Sequence, residues 1–116
     1  MQLKLIALLL LLVGEALTVA SEMYAAHYHE HRLASVSQIV LVATLAFALS
    51  GGFLIAGYMV GYQAFRNIWV VTTISVTSIL FVEPLIAYFL FHEWPTPGVV
   101  VGVFLGIFGF IATLIW

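Results

Sequence analysis

Residues 3–24 read LKLIALLLLLVGEALTVASEMY, an apolar run with Lys4 at its start, Glu15 in its middle and Glu22 near its end. A helix that spans a bilayer needs about 20 mostly apolar residues, and this run supplies them. Its consecutive leucines argue against a strand, because a membrane β-barrel is built from alternating segments of about ten residues. Outward from this stretch the same reading applies three more times, over residues 36–62, 68–91 and 98–116. The second run is long enough to cross with tilt or with a break near Gly51 and Gly52. The fourth follows a Pro95-Thr96-Pro97 turn, and proline is tolerated at a helix start but not inside. Short connections predict antiparallel neighbours. The expected fold is all-α: one integral membrane domain over residues 1–116 with four transmembrane helices, assembled as a dimer.

Composition agrees with that reading. The 116 residues are 65% hydrophobic and 7% charged, against roughly 45–50% and 25% in soluble domains. Lys4, Arg32 and Arg66 are the only fixed positive charges and the formal net charge is -2, so no basic surface exists to neutralise nucleic-acid phosphates. Cysteine is absent, which excludes disulfides, thiolate metal sites and iron–sulfur clusters. Lys4, the apolar stretch and Thr18-Val19-Ala20 also fit a cleavable signal peptide, whose removal would leave three spans. Glu15 at the end of the apolar region argues against it.

Orientation is normally set by Lys and Arg in short loops. Here Lys4 and Arg66 fall on one side and Arg32, with the histidines, on the other. Two readings follow: the chain inserts both ways and two copies pair antiparallel, or so few charges leave the rule uninformative. The expected location is the cell membrane, crossed several times.

Ionisable groups within spans are costly and mark ion paths, proton relays or ligand sites. Glu15 stands about twelve residues into the first span, on the order of 18 Å deep at 1.5 Å per residue, near mid-membrane. Glu83 is expected at a similar depth in the third. Glu22 follows Glu15 by seven residues, on the same helix face and roughly 10 Å nearer the interface. Neither central acid has a cation at its depth, so each can trade a proton for a cation. The structural alternative is a neutral, hydrogen-bonded acid that helps helices pack, with Pro84 after Glu83 kinking the third helix.

A helical projection from Glu83 puts Ile79, Val76, Thr72 and Trp69 within about 40° of one face, with Thr73 and Ser75 flanking it. Carboxyl, hydroxyl and indole on one stripe suit a water-accessible cavity where the ring stacks on a cation. Membrane helices also use Ser and Thr simply for packing. Gly98, Gly102, Gly106 and Gly109 form a small-residue stripe on the last span, the expected dimer contact, and Gly57 and Gly61 repeat the spacing on the second. His27, His29 and His31 fall in the first connection. If helical, His27 and His31 share a face and suit a transition metal, but the spacing fits no specific zinc motif and a solvated interfacial loop is the simpler reading.

From Glu83 the sequence reads Glu83-Pro84-Leu85-Ile86-Ala87-Tyr88-Phe89-Leu90-Phe91-His92-Glu93-Trp94-Pro95-Thr96-Pro97, then the glycine helix. This resembles the end of a repeat from the drug/metabolite transporter superfamily, where a Glu-Pro is followed by an apolar stretch, a Gly-Glu-x-x-Thr-like turn and a helix of spaced glycines. Glu93 and Thr96 match and His92 replaces the turn glycine. The four-span length resembles the superfamily's small multidrug resistance branch, and Glu15 falls where that branch carries an essential glutamate. The resemblance implies an antiparallel dimer. The branch's third-helix tyrosine, tryptophan and glycine signature is not reproduced, and Trp69 lies too early to be its tryptophan.

Two functions are expected from these residues. The first is a secondary transporter, a homodimer in which Glu15, Glu83, Trp69, Thr72 and Glu22 serve a proton and a small cationic or polar metabolite or drug. The second is a non-transporting membrane subunit packed against a larger partner. No cofactor and no enzyme activity are expected, because no nucleophile arrangement or phosphate loop is present. The partners are membrane lipid, a small molecule and a second copy.

Overall fold

The computed structural model describes residues 2–115, with residues 113 and 114 described by backbone alone. Four helices follow in order: α1 Gln2–Glu30, α2 Val36–Phe65, α3 Ile68–Phe91 and α4 Pro97–Ile115. Trp116, the expected end of the fourth span, lies outside the described residues. The first three helices are long and apolar enough to cross a membrane, and the part of α4 described with its side chains, Pro97–Ala112, is apolar as well.

Helix ends follow local chemistry. The Ser35 hydroxyl accepts from the N–H of Gln38 and opens α2, and the Asn67 side chain accepts from the N–H of Trp69 at 2.9 Å and opens α3. At α4, Thr96 accepts from the N–H of Val99 at 3.4 Å, with Pro97 in the first helical position, where a missing N–H costs nothing. Arg32, Arg66 and His92 take positive φ angles of 52°, 57° and 56° just past α1, α2 and α3. At α1 the N–H of Leu33 returns to the carbonyl of Tyr28 at 3.0 Å and that of Arg32 to His29, closing the helix without a glycine.

The first helix therefore ends six residues beyond the expected Tyr24, so His27 and His29 lie on its last turn, while His31 falls in the connection just past it. Polar side chains end an apolar run but do not end a helix. No glycine or proline interrupts residues 24–30.

The helices form a slab of 46 × 34 × 18 Å. α1 packs on α2 along one side and on α3 along the other, α4 packs on α3, and α2 meets α3 near their short connection. The α1–α2 seam holds one antiparallel register. Gly14 takes the side chain of Leu54, Leu11 is taken in return by Gly57, and Ala7 faces Gly61. A Cβ on Gly14 would lie 2.7 Å from Leu54 Cδ2 and 3.1 Å from its backbone nitrogen, so glycine here permits close backbone approach. Leu11, Val71 and Ile74 form the buried cluster, with Leu54 and Tyr58 packed against it.

Candidate functional site

Gly14 turns toward α2, so the next residue along α1, Glu15, is carried round to α3. Its side chain is 6% exposed, and its Oε1 accepts a hydrogen bond from the Ser75 hydroxyl. One turn on, Ser78 is buried and donates to the carbonyl of Ile74 at 2.9 Å. On the α2 side the Thr18 hydroxyl lies 2.9 Å from both the Gly14 carbonyl and the Ser50 hydroxyl. Ser50 is fully buried and donates to the carbonyl of Phe47 at 2.6 Å. Hydroxyls thus flank Glu15 on both α1 interfaces. The three fixed cations are all at helix ends: Lys4 lies 5.5 Å from the ring of Phe65, while Arg32 and Arg66 sit in helix-ending turns.

Glu83 stands elsewhere. Helices α1 and α3 run parallel with Glu15 against Ser75, so Glu83, eight residues later, lies about 12 Å farther along the axis. It shares a cleft with Met23, which replaces the expectation of two acids at equal depth. Glu83 is exposed, as is Glu22. The cleft, of about 560 Å³, lies between α1, α3 and the start of α4, and Tyr88, Glu93 and Trp94 close its outer end.

The structure does not bring Trp69 or Thr72 to either acid. Trp69 is 75% exposed in the first turn of α3, Thr72 is half-buried, and neither lines the cleft. The face of α3 that packs inward carries Val71, Ile74, Ser75 and Ser78, largely opposite the Glu83 stripe. Ser75, expected only to flank that stripe, is the residue that reaches Glu15. Glu93, Tyr88 and Trp94 were not singled out as site residues by composition or spacing; their convergence depends on the 92–96 connection folding back over α3.

On α4 the glycine stripe divides. Gly106 packs within the chain, where an added Cβ would meet Leu80 Cδ1 at 2.5 Å, whereas among the described residues nothing lies within 4 Å of that position at Gly98 or Gly102. The ring of His31, one residue past α1, lies beside that of His27 with centroids 4.3 Å apart, and the His27 ring meets Phe91 edge-on at 5.3 Å. His29 is exposed, and among the described residues no three metal-ligating side chains converge. No family model, characterised protein or solved structure matches the chain.

Proposed function

We propose that this protein is a secondary transporter of the cell membrane that exchanges a small cationic or polar solute for a proton held on Glu15. The observation that carries the reading is an acid buried at the middle of α1 with a serine hydroxyl as its hydrogen-bond partner and every fixed cation at a helix end. An isolated ionised carboxylate is costly to bury, so such a group suits carrying a proton and releasing it when a cation arrives. In this reading no covalent chemistry occurs and no cofactor takes part, α4 crosses as a fourth span, and the chain resembles the drug/metabolite transporter superfamily in role.

Shape and charge support a homodimer in this reading. A slab 18 Å thick gives a central solute path little enclosure, and a second copy would cover one face. Glu22, Glu30, Glu83 and Glu93 belong, with Arg32, to the half that carries the 31–35 and 92–96 connections, while Lys4 and Arg66 belong to the other. Antiparallel pairing sets the basic end of one copy beside the acidic end of the other.

The open positions at Gly98 and Gly102 favour a second reading, a membrane subunit whose α4 packs on a larger partner. Proteoliposomes holding an internal pH dye separate the two. An external pulse of tetramethylammonium should drive proton efflux through the parent protein and not through Glu15→Gln. Equal rates in both, or no efflux through the parent, favours the subunit.

A further inference from the structure

We infer that the cleft between α1, α3 and α4 binds an amphiphilic amine, an ammonium head on a single apolar chain. This inference does not rest on the transport reading, because the cleft and its acids are separate from Glu15.

The cleft exists because α1 and α4 both lean on α3 while, among the described residues, their backbones stay more than 8 Å apart at every Cα pair. Its volume of about 560 Å³ falls within the roughly 300–1,000 Å³ of small-molecule sites. Chemistry is divided along its length. Toward one end stand Glu93 and the Tyr88 and Trp94 rings, whose centroids are 5.0 Å apart, and Glu83 lines the cleft between them and the apolar part. Deeper, the walls are apolar, with Ile79 and Leu80 on α3 facing Val103 on α4.

Two acids and two aromatic rings recognise an ammonium through opposite charge and through the ring quadrupoles. The apolar depth takes a hydrocarbon chain. No basic residue lines the cleft among the described residues, so nothing there balances a phosphate and a phospholipid head is disfavoured. The cation nearest in kind, a lysine from a second copy, is engaged at home, where Lys4 lies against its own Phe65. Trp94, 80% exposed, is free to fold over a bound head.

The test is calorimetric titration of octyltrimethylammonium into the full-length protein in dodecyl maltoside, with octanol, octyl sulfate and tetramethylammonium as comparison ligands. Saturable binding is expected for the octyl ammonium, weaker by about tenfold or more for tetramethylammonium, which lacks the chain, and absent for octyl sulfate. Glu83→Gln should weaken binding by about tenfold and Trp94→Leu by about threefold or more, while Glu30→Gln, at the same end but outside the cleft, should stay within about twofold. With Trp69 and Trp116 replaced by Phe, the remaining Trp94 emission should shift on binding. Glu83 is exposed, so Glu83→Gln is expected to keep its helical circular dichroism, and that spectrum is recorded alongside.

Equal binding of octanol, or unchanged affinity in Glu83→Gln, would mean simple partition into an apolar groove and would overturn the inference. So would loss of binding in Glu15→Gln with retention in Glu83→Gln, which assigns the ligand to the buried acid. Displacement of the octyl ammonium by phosphatidylethanolamine at equal concentration would assign the cleft to lipid, and a change in dimer population instead of binding in Glu83→Gln would assign it to a second copy.

Discussion

Glu15 and Ser75 come from helices 60 residues apart in sequence and form the buried polar contact on which the site depends. In a membrane such a bond contributes roughly 0.6 to 1.7 kcal/mol. Ser75→Ala should lower stability by about that amount in thermal melts in detergent, while Ser78→Ala, whose hydroxyl only returns to its own helix, should change little. Equal melting of both variants would show that Glu15 draws its support from another group. The sequence makes Glu15 conspicuous because an acid interrupts an unbroken apolar run. It does not make Ser75 conspicuous, since serines and threonines recur along the third run and polarity alone does not say which of them faces a neighbour. His92 offers a second test at this scale. It occupies the left-handed conformation that glycine takes without penalty, at φ 56°. His92→Gly should raise stability by about 1 kcal/mol, read as a higher melting temperature, and a lower one would mean that the imidazole holds the 92–96 connection.

At the scale of elements, the four helices were legible from run lengths, and α3 begins and ends at the residues that hydropathy marks. The end of α1 was not, because Tyr24 to Glu30 lose apolar character while keeping helix-compatible residues. The inward face of α3 was not legible either. Ile, Val, Leu and Phe surround this helix on all sides, so Glu83 was the natural anchor, and it faces a cleft instead of the core. The glycines separate into two kinds only once neighbours are known. Gly57→Leu should destabilise the fold by about 2–3 kcal/mol, because its Cβ would lie 2.8 Å from Leu11 Cδ2 and 3.2 Å from Leu11's backbone nitrogen. Gly102→Leu places its Cβ where, among the described residues, nothing lies within 4 Å. It should melt like the parent and, if α4 is the contact between copies, shift cross-linked species toward monomer. Gly106→Leu is a poor probe of dimerisation, since it first disturbs Leu80.

Across the whole molecule the connections alternate ends, placing Lys4 and Arg66 together and Arg32 opposite them with most of the acids. The bias in Lys and Arg is one charge. Dual insertion predicts that reporters fused to the C-terminus are found on both sides of the membrane, and that two lysines inserted after Gln2 force one orientation and abolish exchange. A single orientation in the parent would leave a parallel dimer or a monomer.

The central claim is that a cation and a proton compete for Glu15. It is tested most directly by adding tetramethylammonium to the purified, weakly buffered protein and measuring the protons released. The account predicts release from the parent and from Glu22→Gln, whose acid is exposed, and none from Glu15→Gln, which keeps the size of the side chain but cannot ionise. Undiminished release from a folded Glu15→Gln variant would contradict it and leave the buried acid a purely structural group.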